Sequence, residues 1–417
     1  MRRPCQRDQA AAGQSRVHGG QRARSVTTLP TLDDDRDASL TDRLIVREPA
    51  SQPNPAAALG SWWPRPAERL DHAMTFTHAD ALAAIVRQEG LAAPEVSQLL
   101  ELLLSGTITP EAGAQLLTAW TARGETATEL ATVVHLLLTH AVQVPLSGPC
   151  FDLCGTGGSE LTRYNVSTTV AFVLAAAGVP VAKHGNRGSK RPNGSFDLLD
   201  ALGVPFALPP KHLATLFLET GVCFLFARSM HPAVAKIAPM RKLVAGRTIF
   251  NLAGPLANPC KPARQVVGVV KDATAQVVAG ALQHLHVERA IVVKGHPGLD
   301  EVSITGPSHL WEVAHGRTHH RIVEHFHQHG LDHAALPGGD ADVNASLFAD
   351  LLQGRQVGPL LDMVIANAAL ALDCWRNSAH PGGQEAIAVV REIIASGLAW
   401  NKYQCHKRLA EKLAVEA

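Results

Sequence analysis

Two short glycine-containing stretches contain the residues best suited to chemistry. GTGG occupies positions 155–158, and KHGNRGSKRPNGSFDLLDALG occupies positions 183–203. Both put glycines and small polar residues where a strand should pass into a helix, which leaves backbone N–H groups free to bind phosphate. The second stretch adds four cations, Lys183, Arg187, Lys190 and Arg191. A hydrophobic core needs neither feature, so a phosphate-rich ligand is the first hypothesis. The alternative is an ordinary glycine turn beside a solvated run of charges.

The residues next to these stretches could add further contacts to an anion. Asn165, Ser167 and Thr168 lie at the predicted start of a helix, where side chains and the helix N-terminus suit a second anionic contact. Simple capping of the helix by Asn165 or Ser167 is the alternative. Lys183 ends an apolar strand, and a lysine there points towards the crevice where such folds bind ligands. His184 is explained at least as well by a structural role.

Asp300 and Glu301 follow GHPGL at a predicted strand end. Adjacent carboxylates suit Mg²⁺, which prefers oxygen ligands and usually shares them with substrate phosphates. An acidic surface turn would look the same, and the glycine-rich loop is expected to be exposed. The histidine-rich stretch at 319–333 offers His325, His329 and His333 at helical spacing, but Gly330 interrupts them. These histidines are therefore interpreted as incidental surface residues.

Composition narrows the class of protein. The chain has 417 residues, of which 46% are hydrophobic, enough for one large or two ordinary domains with a sizeable core. A formal net charge of +1 gives no bulk electrostatic reason to expect binding to nucleic acid or a membrane. No apolar run reaches the length of a membrane span. Seven irregularly spaced cysteines form no metal pair or disulfide framework, which indicates a reduced, cytoplasmic protein.

Composition and hydrophobic periodicity along the chain predict three regions. Residues 1–73 lack apolar periodicity, and they are expected to be disordered or a non-native extension before a true start at Met74; a transit peptide is a weaker alternative. Residues 74–142 read as a small helical domain, expected to be joined by 205–221. Capping residues predict three helix starts in this domain, at Thr77, at Thr109 with Pro110, and at Thr126 with Glu129.

Residues 143–417 alternate between strands and helices, with a hairpin expected near Gly316. Strands that alternate with helices indicate a largely parallel sheet covered on both faces. The predicted fold class is therefore α/β, with a small N-terminal helical domain and a larger α/β domain that has a mostly parallel central sheet. We expect the site in the cleft between the two domains.

The order of the motifs resembles the anthranilate phosphoribosyltransferases of tryptophan biosynthesis. The matching stretches are GTGG at 155–158, NVST at 165–168, KHGNR at 183–187, GS with Asp197 at 194–197, HPA at 231–233, GRTIFNLAGPLANP at 246–259 and GLDE at 298–301. The resemblance covers roughly Thr77 to the end of the chain. Each glycine motif alone is weak, but their order and spacing together are specific.

The resemblance implies a phosphoribosyl diphosphate site, an anthranilate site, Mg²⁺ as cofactor and a homodimer formed through the helical domains. Lys183 and Arg241 would be catalytic, with Arg241 on the acceptor carboxylate and Arg247 holding the fold together. Phosphoribosyl diphosphate would contact Gly155, Thr156, Gly157, Gly158, Ser159, Arg163, Asn165, Val166, Ser167, Thr168, Lys183, His184, Gly185, Asn186, Arg187, Arg191, Gly194 and Ser195. Anthranilate would contact Gly155, His184, Asn186 and Arg241. Mg²⁺ would be held by Ser167, Asp300 and Glu301.

Three positions depart from the family pattern. Ser159 stands where the family usually has Asp, Arg163 where it usually has a small residue, and GSKRPN replaces a serine-rich turn. These changes leave phosphate binding plausible and leave another aromatic acceptor open. Two further alternatives are a pyrimidine-nucleoside phosphorylase of a sister family and a non-catalytic paralogue that binds nucleic acid. The GLDE and GRTIFNLAGPLANP stretches argue against the first, and the retained KHGN and Arg241 argue against the second.

Overall fold

The structure is a computed structural model. It describes residues 76–159, 161, 164–188 and 192–417. The predictions made for residues 1–75, Glu160, Arg163, Lys190 and Arg191 lie outside the described residues.

The N-terminal part forms four helices whose starts follow the predicted caps. They are α1 (His78–Ile85), α2 (Ala93–Ser105), α3 (Pro110–Arg123) and α4 (Ala127–Thr139). Thr77 forms a capping box with Asp80, and Thr126 forms one with Glu129, so orphan N–H groups at both helix starts are satisfied. The Thr109 hydroxyl accepts from the N–H of Ala112 ahead of Pro110. All three predicted helix starts are therefore confirmed.

The C-terminal part is built on one seven-stranded sheet. Its strands are β1 (Phe151–Gly155), β2 (Val181–Gly185), β3 (Val222–Phe226), β4 (Arg264–Gly268), β5 (Arg289–Gly295), β6 (Ser308–Ala314) and β7 (Arg317–Val323). The order is β3-β2-β1-β4-β5-β6-β7, with the first five strands parallel and the last two antiparallel. The predicted hairpin turns at Gly316, whose φ of +71° suits glycine. The mostly parallel sheet is confirmed.

The described part of the chain holds eleven further α-helices. They are α5 (Val166–Ala176), α6 (Ser195–Ala201), α7 (Pro210–Thr220), α8 (Ala227–Met230), α9 (Ala238–Leu243), α10 (Ile249–Leu256), α11 (Asp272–His284), α12 (Ala341–Leu352), α13 (Pro359–Arg376), α14 (Gln384–Ala395) and α15 (Leu398–Val415). Short 3₁₀ helices occupy Pro232–Ile237 and His333–Ala335. Helix α5 is apolar on nearly every side, and it packs beneath α13 and α15 as a fully buried helix must.

The segment that joins the helical bundle is not the one expected. The 3₁₀ helix at Pro232–Ile237 packs on α2, α9 packs on α3, and α10 packs on α4. Residues 205–221 instead place α7 against β3 and α15, with its buried side chains in the core beneath the sheet. The expectation for 205–221 was wrong because this segment is part of the crossover between parallel strands β2 and β3. Such a crossover packs back on the sheet.

Candidate active site

The strand order places the predicted motifs at one edge of the sheet. From β1 the chain moves to β2 and β3 on one side, and β4 then returns to the other side of β1. The carboxyl ends of β1 and β4 therefore flank a topological switch point, which is where open α/β sheets bind ligands. GTGG follows β1 at this point, and KHGNR follows the neighbouring β2.

The loop that carries Asp300 crosses the end of this sheet in direct contact with its backbone. Gly155 of β1 and Gly268 of β4 are paired in register. A Cβ at Gly155 would lie 2.1 Å from Asp300 Oδ2, and a Cβ at Gly268 would lie 1.7 Å from the Asp300 carbonyl oxygen. Neither distance is sterically possible. Glycine at both positions is therefore what lets the acidic loop reach GTGG.

Two side chains hold the GTGG loop. Arg247 donates to the carbonyl oxygens of Thr156 and Gly157, the latter at 2.5 Å. Asp300 Oδ2 accepts from the N–H of Gly157 at 2.8 Å. The hydroxyl of Thr156 is buried and has no hydrogen-bond partner among the described residues. Arg247 thus makes the kind of structural contacts that the sequence predicted, and it makes them on the loop proposed to bind phosphate.

The acidic pair is less exposed than predicted. Asp300 is only 5% exposed, and Glu301 is half-buried. His296 and Pro297 of this loop are exposed as expected, but the acidic pair is not, because the missing side chains of Gly155 and Gly268 let it lie down onto the sheet. In the described part of the chain, no group of three His, Cys, Asp or Glu side chains could hold a metal. A metal here would therefore need ligands from a bound substrate.

Lys183 does not lie where a phosphate ligand would. Its side chain is 1% exposed, and its ammonium donates to the carbonyl of Leu153 at 2.9 Å. The buried carboxylate of Asp152 lies close enough to interact electrostatically with it. Burial raises the pKa of Asp152 to about 6, and the Lys183 charge partly offsets this rise. The prediction that Lys183 points into the crevice was wrong, because strand position alone does not say which way a side chain turns.

His184 is a neutral, buried residue at the end of β2. Its Nδ1 lies 3.0 Å from the carbonyl oxygen of Gly254, and its ring packs edge-on against His231 at 5.2 Å between centroids. Burial lowers the pKa of His184 to about 3, and the neighbouring His231 contributes in the same direction. Its Nε2 is buried without a hydrogen-bond partner among the described residues. The ring can therefore form a hydrogen bond with a ligand through Nε2, but it carries no positive charge at neutral pH.

The loop after β2 is held by two carboxylates of α6, Asp197 and Asp200. Arg187 forms ion pairs with Asp197, at 3.2 Å, and with Asp200. Asp197 also accepts from the N–H groups of Gly188 and Gly194, at 2.7 and 2.8 Å. Arg187 is therefore committed to shaping the loop, although the sequence placed it on phosphate.

Four further predicted residues lie in the described part of this loop. A Cβ at Gly194 would lie 2.4 Å from the backbone nitrogen of Gly188, so only glycine fits this crossing. Asn186 is exposed at the rim, Gly185 ends β2, and Ser195 is half-buried in the first turn of α6. A Cβ at Gly185 would lie 3.4 Å from Ser195 Oγ, and one at Gly194 would lie 2.6 Å from the Asn186 carbonyl oxygen, so these four predicted residues lie close together.

The start of α5 is left open to a ligand. Asn165 does not cap it: its amide nitrogen donates to the carbonyl of Asn193 at 2.7 Å, and its Oδ1 accepts from Asn344 at 2.8 Å. Ser167 is half-buried in the first turn, and the buried Thr168 hydroxyl has no partner among the described residues. Val166 is 1% exposed and belongs to the core. The capping alternative is therefore excluded for Asn165, and Ser159 remains half-buried after GTGG.

Arg241 lies half-buried on α9 beside the start of α10. It donates to Asn251 Oδ1 at 3.3 Å and lies over the ring of Phe250, 5.8 Å from its centroid. Burial lowers its pKa. In the described part of the chain, no carboxylate pairs with it. A desolvated guanidinium bonded only to an amide oxygen is well suited to bind a ligand carboxylate.

The segment from Arg247 to Asn258 connects these parts, and sequence reasoning assigned no role to most of it. Asn251 caps α10 through the N–H of Thr248 at 2.9 Å and also holds Arg241. The Gly254 carbonyl holds His184. Asn258 donates to Asp152 Oδ2 at 2.8 Å and to the Ala182 carbonyl at 2.7 Å. The two amide side chains in this otherwise apolar motif, Asn251 and Asn258, could have pointed to such a network.

The chain is similar to proteins of known family. Residues 147–400 match the glycosyl transferase family a/b domain, and residues 79–141 match the glycosyl transferase family helical bundle domain. Anthranilate phosphoribosyltransferase of Synechococcus elongatus is 40% identical over 327 residues, which cover 77% of this chain and 93% of that protein. The enzyme of Chloroflexus aggregans is 37% identical and covers 79% and 97% of the two chains.

Solved structures agree with these relatives. The crystal structure of anthranilate phosphoribosyltransferase from Thermus thermophilus is 34% identical, with a TM-score of 0.72 over 80% of this chain and 99% of that one. The Saccharomyces cerevisiae enzyme, solved in complex with PRPP (phosphoribosyl diphosphate) and Mg, has the same fold at 24% identity and a TM-score of 0.72, over 81% of this chain and 99% of that one. In both sequence and fold, the chain belongs to the anthranilate phosphoribosyltransferase family of enzymes.

Proposed function

We propose that the chain transfers the phosphoribosyl group of phosphoribosyl diphosphate to the amine of anthranilate and releases diphosphate, a step of tryptophan biosynthesis. The observation that carries the proposal is the GTGG loop at the β1/β4 switch point. Arg247 and Asp300 hold its peptide groups in one orientation, beside the uncapped start of α5. Family membership supplies the activity, and this geometry supports it.

The diphosphate would bind between the glycine loop and the helix starts. Backbone N–H groups of the loop and the first turn of α5 offer a positive field to an anion. The buried hydroxyls of Thr156 and Thr168 face no protein partner among the described residues, so a phosphate oxygen would satisfy them. Lys183 is left out of this set because its ammonium is bonded to Leu153.

The acceptor would bind at Arg241, with Asn186, His184 and Gly155 around it. A guanidinium fork binds a carboxylate with two parallel hydrogen bonds, and this one is half-buried, so water solvates it only in part. The buried Nε2 of the neutral His184 imidazole has no hydrogen-bond partner among the described residues, so an acceptor group placed against it could bond it. Together these groups would orient the aromatic amine towards the ribose.

Mg²⁺ would be held by Asp300 and Glu301, with Ser167 as a further ligand. Carboxylate and hydroxyl oxygens are the donors that this ion prefers, and its remaining ligands would come from the diphosphate. The yeast relative was solved with PRPP and Mg. When bound, the ion would offset negative charge on the departing diphosphate.

The chain's own residues would act mainly by positioning. An aromatic amine attacks as its free base, so no strong general base is required. Fixed N–H groups would stabilise the charge that develops on the leaving diphosphate, and Arg241 would hold the amine in line with the reacting carbon. This division of labour agrees with the neutral state of His184.

A cytoplasmic homodimer is part of the same proposal. The expectation of a dimer rests on the family resemblance, and the expectation of a reduced compartment rests on the irregular cysteines. Among the described helices, none combines the length and apolar character needed to cross a membrane. Size-exclusion chromatography with light scattering would test the dimer: a mass of one chain at micromolar concentration would contradict it.

The activity can be tested directly. Purified protein with phosphoribosyl diphosphate, Mg²⁺ and anthranilate should consume anthranilate, followed by the loss of its fluorescence. Parallel reactions should replace anthranilate with other aromatic acids and amines, and should offer thymidine or uridine with phosphate. Consumption of another acceptor alone, or phosphorolysis of a nucleoside, would contradict the proposed acceptor.

A further inference from the structure

Arg247 makes an unusual pair of contacts with the glycine loop. One guanidinium donates to two successive carbonyl oxygens, through Nη2 to Thr156 and through Nη1 to Gly157 at 2.5 Å. A planar fork with two outward N–H groups is suited to such a pair, whereas a lysine ammonium is a single point of charge. The contacts therefore fix the planes of two neighbouring peptide groups at once.

The orientation of these carbonyls determines where the N–H groups point. In a trans peptide the C=O and N–H bonds are antiparallel, so the N–H groups of Gly157 and Gly158 both point away from Arg247. The first is bonded to Asp300 Oδ2 at 2.8 Å. The second is hydrogen-bonded to no acceptor in the described ranges. It is the group that remains available to an anion.

The loop needs an external constraint because its glycines are conformationally free. Gly157 has a φ of +67° and Gly158 a φ of +90°, values that glycine adopts as readily as their mirror images. A Cβ at Gly158 would lie 2.1 Å from Nη1 of Arg247, so glycine also makes room for the guanidinium. The flexible GTGG loop and the planar guanidinium of Arg247 are thus complementary in shape.

Arg247 also connects the loop to the helical domain. Its carbonyl oxygen accepts from the Thr121 hydroxyl of α3 at 3.3 Å. The residue therefore lies between the helical bundle and the ligand loop and contacts both.

We propose that Arg247 is a positioning residue that orients the peptide groups of the GTGG loop so that the Gly158 N–H faces the diphosphate. The proposal rests on the proposed function for the identity of the ligand. Arg247 does not touch the substrate. A charged donor on the carbonyl side also polarises the peptide and strengthens its N–H as a donor.

The test measures substrate affinity separately from turnover. Arg247→Lys and Arg247→Gln should weaken phosphoribosyl diphosphate binding by about ten- to a hundredfold in calorimetric titration, the effect of losing one charged hydrogen bond. The KM for the acceptor should change by less than about twofold, since Arg241 is untouched. In Arg247→Ala, added guanidinium ion should restore part of the affinity by bonding the two carbonyl oxygens in place of the missing side chain.

Arg264→Lys is the matched control. Arg264 is also a buried arginine that bonds a carbonyl, that of Trp375, but it lies at the opposite end of β4. The Arg264→Lys substitution should lower the melting temperature and leave the affinity for phosphoribosyl diphosphate within about twofold of wild type.

Four outcomes separate the proposed role of Arg247 from the proposed transfer reaction. Unchanged affinity in folded Arg247→Lys and Arg247→Gln overturns the role of Arg247, as does an equal loss for both substrates without guanidinium rescue. Wild-type protein that binds phosphoribosyl diphosphate but consumes no anthranilate overturns the proposed transfer, while the affinity comparison still decides the role of Arg247. Wild-type protein that does not bind phosphoribosyl diphosphate overturns both.

Discussion

Arg247 and Asp300 hold the same peptide bond, between Thr156 and Gly157, from opposite ends. The guanidinium donates to the Thr156 carbonyl, and Asp300 Oδ2 accepts from the Gly157 N–H at 2.8 Å. The two residues are 53 positions apart in sequence. One carboxylate oxygen of the predicted metal ligand is therefore already engaged in shaping the phosphate loop, and this changes what substitution of Asp300 should do.

Asp300 and Glu301 should have separable effects. Asp300→Ala removes a buried acceptor of the Gly157 N–H, so the free energy of unfolding should fall by about 1–3 kcal/mol and turnover should be lost. Glu301→Gln keeps the shape of a half-buried side chain and should lose most of the Mg²⁺ dependence of phosphoribosyl diphosphate binding with little change in stability.

Urea unfolding and calorimetric titration with and without Mg²⁺ would measure both effects. Glu324→Gln is a suitable control for Glu301→Gln, because Glu324 is an exposed carboxylate outside the site. If Mg²⁺-dependent binding persists in both site variants, the acidic pair shapes the loop and does not hold the ion.

Arg241→Lys should impair the use of the acceptor and leave the binding of phosphoribosyl diphosphate unchanged. The substitution keeps the positive charge but loses the two-donor fork, so kcat/KM for anthranilate should fall about ten- to a hundredfold, the cost of a charged hydrogen bond of about 1.5–3 kcal/mol. The KM for phosphoribosyl diphosphate should barely move, since that ligand is assigned to the glycine loops. Arg228→Lys on the exposed face of α8 is the control. Steady-state kinetics that show equal losses for both substrates would indicate a structural arginine instead.

The sequence predicted the elements well because their signals are local. Capping boxes at Thr77 and Thr126 and the glycine turn at Gly316 each depend on residues a few positions apart. The GTGG and KHGNR motifs were likewise placed correctly at strand ends, because a parallel sheet brings such ends together.

Side-chain direction was not predictable in the same way. Their charge and their place in the sequence made Lys183 and Arg187 candidate phosphate ligands. In the structure, Lys183 donates to the Leu153 carbonyl and Arg187 donates to Asp197. Their partners are set by tertiary packing, which no local pattern contains. The same holds for 205–221, whose helical periodicity shows that one face is buried but not against which neighbour.

His184 should make the protein less stable in acid. Its pKa is about 3 in the folded chain against an ordinary value of 6.5, so between these values the unfolded chain binds a proton that the folded chain does not. The free energy of unfolding should therefore fall as pH drops from 6.5 towards 3. By pH 5 the loss from this residue is on the order of 1–2 kcal/mol.

Urea unfolding of wild type and His184→Gln at pH 7 and pH 5 would measure the contribution. Asp152, with its pKa raised to about 6, acts in the opposite direction between about pH 4 and pH 6, and this effect is common to both proteins. The variant should lose less stability than wild type over this interval. An equal loss would show that His184 is protonated in the folded state near pH 6.5.

Asn344→Asp should disturb the phosphate loop from a distance. Asn344 is fully buried on α12, and its amide nitrogen donates to Asn165 Oδ1 at 2.8 Å, while Asn165 donates to the Asn193 carbonyl at 2.7 Å. A carboxylate at 344 would put an oxygen against Asn165 Oδ1. If Asn165 turned its amide to meet it, an oxygen would instead face the Asn193 carbonyl. Either arrangement leaves two acceptors opposed in a buried site, at a cost of about 1–3 kcal/mol.

The loss should appear in both stability and substrate affinity, because Asn193 belongs to the loop that leads to Gly194 and Ser195 at the start of α6. The melting temperature should fall, and the dissociation constant for phosphoribosyl diphosphate should rise about three- to tenfold, a fraction of the hydrogen-bond energy. Acceptor KM should stay near the wild-type value. Asn401→Asp, an exposed change of the same chemistry on α15, should alter neither quantity. A variant that is less stable but binds phosphoribosyl diphosphate as wild type does would show that the amide chain supports the fold without positioning the loop.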